Sequence, residues 1–359
     1  MSSLIEGEVL PGGISKTIQG ITTNTRAHPD DVNPILKQLL DNGVTLASVL
    51  DESLGRAATV VVAASNSSDK TKSSADYVCT GTDDQITINN AISELPVEGG
   101  KVLLMEGAYT VSNGIMQPNG VTLEGMGMST IIRLRDLQST NVSIIQNADT
   151  LNGNINIEVR NLLIDGNKAN AISGVMYGVY YAFVSFGKIE NVRVLNMRSS
   201  GIHITNNSSD NIVIGNYCKA NKDSGILISS NSGNNTFMSN NCRDNSSNGI
   251  FNNSSDNTII GNTCSGNSTG ISNSGSNNTI IGNNCSNNFG AGISISNGSY
   301  NNVQNNTVRK GSESPTYGIR VNAGSTKNLV TNNDLYESGA TAFSDAGTGT
   351  ITTAGNRLT

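Results

Sequence analysis

Proline is missing from the chain between Pro118 and Pro315. Proline removes a ladder donor from any strand paired on both sides, so a span of that length without one is free to form continuous sheet. Histidine is nearly absent, with only His28 and His203. That excludes a histidine-rich metal site and leaves few ready-made general bases. Aromatic residues make up 4% of the chain and hydrophobic residues 36%, too few for a thick core, though a thin one of Ile, Val, Leu and Cys would suffice. Cationic excess is also lacking: the net charge of -6 argues against nucleic acid as a partner. No apolar run is long enough to cross a membrane. The first residues show no basic stretch followed by an apolar one, so no signal peptide is expected.

What the chain has instead is a repeat. Asn216, Asn240, Asn262, Asn283, Asn306 and Asn333 are spaced 24, 22, 21, 23 and 27 residues apart. Three residues before each stands Val213, Phe237, Ile259, Ile280, Val303 or Val330. Two residues after stands Cys218, Cys242, Cys264, Cys285, Val308 or Leu335. A second asparagine follows at 221, 245, 267 and 288. Then comes a Gly-Ile pair, from Gly225-Ile226 to Gly318-Ile319. Units of this length mean a solenoid, a propeller or an array. These are too short for a propeller blade and lack helical periodicity. Short apolar runs punctuated by Asn, Gly and Ser read as strands joined by tight turns. One turn of a parallel β-helix fits. Rungs stack about 4.8 Å apart, so equivalent residues form columns. The asparagines are expected to form turn ladders, adopting the left-handed conformation and bonding along the column.

The four repeat cysteines fall in one inward column. Vertical neighbours on parallel rungs are too far apart and too parallel for easy disulfides, and the total of five is odd. They are expected to be reduced, as in a chain folded in a reducing cytoplasm. The residue after each inward apolar one is also apolar: Ile214, Met238, Ile260 and Ile281. Neighbouring strand residues point to opposite faces. One set is expected to form an outward stripe, of the kind that marks an interface; the alternative is a bend at this spot that buries both.

The amino-terminal part differs. Residues 1–75 are expected to form a head with short helices near 34–40 and 44–54, ending in a polar linker at 64–75. The head is too small and too polar to bury much core alone, so it is expected to dock or oligomerise. Residues 76–100 carry helical spacing at Ile88, Ala91, Ile92 and Leu95, which suits a helix capping the open solenoid end. The β-helix proper is expected over 101–345, with 346–359 as a carboxy-terminal cap or tail.

The run Thr82-Asp83-Asp84, the helix after it, Gly99-Gly100-Lys101-Val102, Gly107-Ala108-Tyr109 and Val121-Thr122-Leu123-Glu124-Gly125-Met126-Gly127 resembles the opening of pectate-lyase-like β-helices in bacteriophage tail spikes. The segment from His28 to Leu36 resembles amino-terminal segments of phage tail and baseplate-associated proteins of Gram-positive hosts. The resemblance implies an all-β chain: a right-handed parallel β-helix behind a short helical head. It implies a virion tail protein assembled in the host cytoplasm, attached through its head to tail or baseplate proteins. It also implies a homotrimer and a host surface polysaccharide as partner, with glycoside hydrolase or polysaccharide lyase activity, no cofactor and no metal. A non-enzymatic adhesin or structural tail-fibre segment is the alternative.

Catalytic strings of polygalacturonases and mannuronan epimerases are absent, so no family site carries over. Candidates are therefore positional. Glycoside hydrolysis wants two carboxylates; elimination from a uronate wants a base and a cation. Asp165, Asp223 and Asp244 are the candidate acids and bases. Arg198, His203, Lys219 and Arg243 are candidate substrate contacts. Lys219 and Arg243 both lie three residues after a column asparagine, so they stack. Tyr177, Tyr180 and Tyr181 belong to an aromatic cluster whose rings can stack on sugars. All are expected on one face, because charge concentrates between residues 160 and 245.

Overall fold

The computed structural model describes residues 9–10, 14–15, 58–311, 317–352 and 355–358. It divides into two compact units, Met1–Thr59 and Val60–Thr359. In the first unit, Val9–Leu10 pairs antiparallel with Ile14–Ser15. The helices expected near 34–40 and 44–54, and the resemblance at 28–36, lie outside the described residues.

The second unit is a parallel β-solenoid with three long sheets and a two-stranded one, Asn154–Ile155 beside Val184–Ser185. Sheet A has twelve strands, sheet B nine and sheet C ten. One rung shows the plan. Thr258–Ile260 belongs to sheet A, Thr263–Ser265 to sheet B and Thr269–Asn273 to sheet C. Each pairs in register with its counterpart one rung on, Thr279–Ile281, Asn284–Ser286 and Ala291–Ile295. Alternation puts Ile259, Cys264 and Ile271 inside, all fully buried. Burying each isoleucine contributes about 1.5–3 kcal/mol.

The corners hold buried asparagines. Asn262 donates its backbone N–H (2.9 Å) and its Nδ2 (3.0 Å) to Oδ1 of Asn283. Its Nδ2 also reaches the Phe237 carbonyl on the rung before (2.9 Å). The same pattern links Asn216, Asn240, Asn262, Asn283, Asn306 and Asn333. A second column runs Asn221, Asn245, Asn267, Asn288. A third column, unforeseen in the repeat, runs Asn211, Asn235, Asn257, Asn278, Asn301, Asn328 at the corner between sheets C and A. The left-handed conformation does not belong to the ladder asparagines. It belongs to the residue just before: Ser239 (φ 55°), Asp244 (54°), Asp256 (61°), Asn277 (58°), Tyr300 (58°) and Lys327 (53°). The exposed residue makes the turn and the buried amide ties it down.

The Gly-Ile pairs have a packing cause. A Cβ on Gly225, Gly249 or Gly270 would lie within 2.7 Å of a carbonyl oxygen on the next rung. Only glycine allows the strand-C entry to stack this tightly.

The cysteine column is inward. Cys218, Cys242, Cys264 and Cys285 are buried and free and face one another in register. Sulfur-to-sulfur hydrogen bonds pull the neighbours' acidities apart, raising the Cys242 and Cys285 thiols and lowering the Cys264 thiol between them; full burial of all four keeps them from reagents in solvent. Ile214, Met238, Ile260 and Ile281 are outward, half-buried and in register on sheet A.

The expected capping helix is present as Gln85–Ser93, burying Ile88, Ala91 and Ile92. Asp84, fully buried at its start, accepts the N–H groups of Gly81 and Thr110, each at 2.8 Å. The expected linker is not one. Thr59–Ala63 joins sheet A beside Tyr77–Val78, and Val60, Val62, Ala63 and Ala64 are buried. Residues 69–74, read as linker, form a helix capped by Ser68. Their polarity reflects a helix with no buried residue, not an absence of structure.

Two outcomes follow. Asn262→Ala removes the acceptor of the buried Asn240 N–H, one of the two bonds of Asn240 Nδ2, and the Nδ2 donor to the Phe237 carbonyl, at about 1–3 kcal/mol for each buried group left unsatisfied. Its thermal unfolding midpoint should fall by several degrees, while Ser265→Ala should leave it unchanged. A chain beginning at Ala58 should be soluble, and one beginning at Ser73 should aggregate, because the second lacks the buried first strand.

Candidate functional site

The outer face of sheet C is built around a bulge. The strand Met176–Ala182 places Gly178 and Val179 so that both N–H groups point to the Gly201 carbonyl, at 3.0 and 3.1 Å. Two consecutive residues then face inward, and Tyr177 and Tyr180, three apart, both face out. Their rings stack at 5.6 Å and 22°. His203, the register partner of Tyr180 on the next rung, lies against both, at 4.8 Å from Tyr177 and 5.3 Å from Tyr180.

His203 is outward by position yet only 9% exposed. Its Nε2 is 2.9 Å from Ser229 Oγ, which is 3.0 Å from Thr205 Oγ1. Its Nδ1 has no partner. Burial lowers its pKa from 6.5 to about 4, so the imidazole is neutral over the physiological range. Asp223 stands at the edge of this group, 3.3 Å from Ser200 Oγ. Burial, then the Asp223 charge, raises the Tyr177 hydroxyl. Arg198 lies on the rung before, at the same corner between sheets B and C, and donates to the Ala171 carbonyl at 3.2 Å.

The remaining candidates do not join this face. Tyr181 points inward, is fully buried and donates to Gln117 Oε1 at 3.2 Å; the bulge that turns Tyr180 out turns Tyr181 in. Asp165, Lys219 and Arg243 stand in one outward column on sheet B, with Arg133 below Asp165 and Leu195 between Asp165 and Lys219. Lys219 and Arg243 stack as expected. Asp165 lies 3.9 Å from Arg133 and accepts from Asn167 N (3.0 Å) and Asn196 Nδ2 (3.1 Å). Asp244, a corner residue, pairs with Lys219 at 3.6 Å; both are about half exposed, so the pair is worth about 0–1 kcal/mol. The single expected patch is thus two: aromatic and histidine groups on sheet C, ionic groups on sheet B, with the corner between them.

Two clusters escaped the sequence reading. Asp136 sits 3.8 Å from Arg133 and accepts from Asn167 Nδ2 at 2.6 Å, so Arg133 and Asn167 bridge Asp136 to Asp165. The spacing Arg133-x-x-Asp136, one rung before Asp165, was the available signal. On sheet A, Lys101, Glu124, Glu158, Arg160, Lys188 and Glu190 form a connected ion-pair network across four successive strands. Burial alone would raise the Glu124 pKa, but hydrogen bonds from Arg160, Lys101 and Asn161 outweigh it and hold it low. Every charge there has an opposite partner, which fits a structural role.

Residues 79–293 match the family described as rhamnogalacturonase A/epimerase, pectate lyase-like, and residues 233–358 match the right-handed beta helix region. The solenoid is therefore the right-handed parallel β-helix that the opening residues imply. Among solved structures, the chain is similar to the Dettilon tailspike protein, with a TM-score of 0.62 and 16% identity, covering 78% of this chain and 64% of that one. It is similar to a tailspike protein of E. coli bacteriophage HK620 in complex with a pentasaccharide, with a TM-score of 0.57 and 14% identity, over 70% of this chain and 53% of that one. It is also similar to the A-module of the Azotobacter vinelandii mannuronan C-5 epimerase AlgE4, with a TM-score of 0.52 and 19% identity, over 78% of this chain and 96% of that one. At such identities the likeness is one of fold. A comparison with curated proteins gives no match.

The histidine makes stability depend on pH. Its folded pKa lies below the unfolded value, so the unfolded chain takes up a proton first as pH falls. The contribution is intact above about pH 6.5 and is lost towards pH 4, to a total of about 3 kcal/mol. Unfolding midpoints of the wild type should drop across that window, and His203→Gln should flatten the drop.

Proposed function

We propose that this chain, which belongs to the rhamnogalacturonase A/epimerase, pectate lyase-like family, is a phage tail spike that binds and depolymerises a host surface polysaccharide. The observation that carries the reading is the outward group of Tyr177, Tyr180 and His203 with Asp223 at its edge. Aromatic rings offer apolar faces to sugar rings and leave polar tips wet. A carboxylate beside them can bond hydroxyls or exchange a proton. The tailspike of phage HK620 with its pentasaccharide supports the substrate class.

Within this reading, residues 1–59 attach the spike to tail or baseplate proteins, and the outward stripe of Ile214, Met238, Ile260 and Ile281 packs between three copies of the chain. Glycosidic cleavage uses two carboxylates roughly 5–9.5 Å apart. Asp223 is the first. Asp244, one rung on at the same corner and beside Lys219, is the second and serves as the base. Asp165, tied to Arg133 and two asparagine donors, is a structural acid. The adhesin alternative rests on one observation: from 250 to 300 the outward strand positions are Asn, Ser, Thr, Ile and Phe, with no charge.

The test is incubation with capsular and wall glycans of Gram-positive hosts, followed by assay for new reducing ends or absorbance near 235 nm. Asp223→Asn and Asp244→Asn should each reduce cleavage at least about a hundredfold, the lower bound for a lost acid or base, and Asp165→Asn should not. Binding without cleavage by the wild type would favour the adhesin. Light scattering should give three times 37.5 kDa, and Met238→Glu with Ile260→Glu should give the single-chain mass.

A further inference from the structure

Sheet C is set apart by its charge. Seven successive strands, from Val142–Asn147 to Ala291–Ile295, contain no charged residue. The outer faces of sheets A and B carry Lys, Arg, Asp or Glu on several rungs of the same span. One outward column on sheet C runs Gln146, Tyr180, His203, Leu227, Phe251, Ser272 and Ser294, each the register partner of the next. Leu227 and Phe251 are half-buried. The fold accepts serine at this position two rungs running, so it does not require a large apolar side chain there.

We infer that Leu227 and Phe251 form a specificity subsite beside Tyr180 and His203, taking a neutral sugar that bears an apolar substituent, a 6-deoxy methyl or an acetyl group, and excluding uronates. This rests on the carbohydrate-binding reading and narrows it. Rungs are about 4.8 Å apart, close to the length of one sugar unit in an extended chain. A sugar stacked on Tyr180 and His203 would put the next sugar but one, two rungs or about 9.6 Å further on, over Leu227 and Phe251. A methyl group gains there by leaving water, at about 0.8 kcal/mol per buried carbon. A uronate carboxylate would lose water with no cation on these strands to replace it, and Asp223 would repel it. The polar rim suits hydroxyls: Asn248 donates to Ser224 Oγ (3.4 Å) and Ser247 Oγ (3.0 Å) on one side, and Ser229 stands on the other.

The experiment is titration calorimetry of the full chain with four defined tetrasaccharides: chitotetraose, a rhamnose tetramer, cellotetraose and tetragalacturonate. The first or second should bind at least tenfold more tightly than cellotetraose, and tetragalacturonate should not bind. Leu227→Ser and Phe251→Ser, checked for unchanged thermal midpoint, should each weaken the preferred ligand about tenfold and leave cellotetraose unaffected. Tetragalacturonate binding as tightly as the neutral ligands would overturn the subsite while leaving carbohydrate binding intact. So would preferred-ligand affinity unchanged in both variants. A change of mass in solution in either variant would overturn it by assigning the face to a subunit contact. No binding of any tetrasaccharide would overturn it together with the binding function.

Discussion

The buried amide bonded to the next buried amide is the contact on which this solenoid depends. In the first two columns an asparagine such as Asn262 uses its side-chain oxygen twice, accepting a backbone N–H and an Nδ2 from the rung before, and its own Nδ2 reaches back to a carbonyl. A buried amide left unpaired costs more than a paired one contributes. The network therefore acts less as glue than as a register lock. A rung shifted by one residue would strand donors at three corners together. Because the register is locked, outward residues that are twenty or more positions apart in sequence stand in straight columns, and every surface property of the molecule is a property of columns.

Those columns are where the sequence could and could not be read. Val213, Asn216 and Cys218 recur with enough regularity to fix two strands, one corner and the direction of the thiols. The corner at Asn211, Asn235 and Asn257 recurs too, but inside turns already crowded with Asn and Ser, where no apolar marker singles it out. Residues 69–74 defeat composition in the same way, since a helix with no buried face looks like a linker.

The candidate site was legible as residues and illegible as a place. Tyr177, Tyr180 and Tyr181 are adjacent in sequence, yet a single bulge at Gly178 and Val179 sends the third into the core. Asp165 and Lys219 share a column, while Asp223, only four residues past Lys219, has already turned the corner. Whether a side chain lies before or after a corner residue such as Ala220 or Asp244 decides its face, and neither residue type nor spacing in one chain marks that boundary. The division matters chemically. Sheet B offers paired charges, sheet C offers rings, a neutral imidazole and apolar side chains, and a ligand meeting both would have to wrap the edge.

The unequal rung lengths carry one more consequence. From Asn216 to Asn221, and from Asn240, Asn262 and Asn283 to their partners, the interval is five residues every time. The whole variation in rung length falls between the second asparagine and the third, along strand C and the turn that follows it. Insertions and deletions can therefore accumulate on the side presented to a ligand without a single ladder bond being disturbed. Lengthening or trimming that one edge changes the outline of the rung, while the frame behind it stays intact.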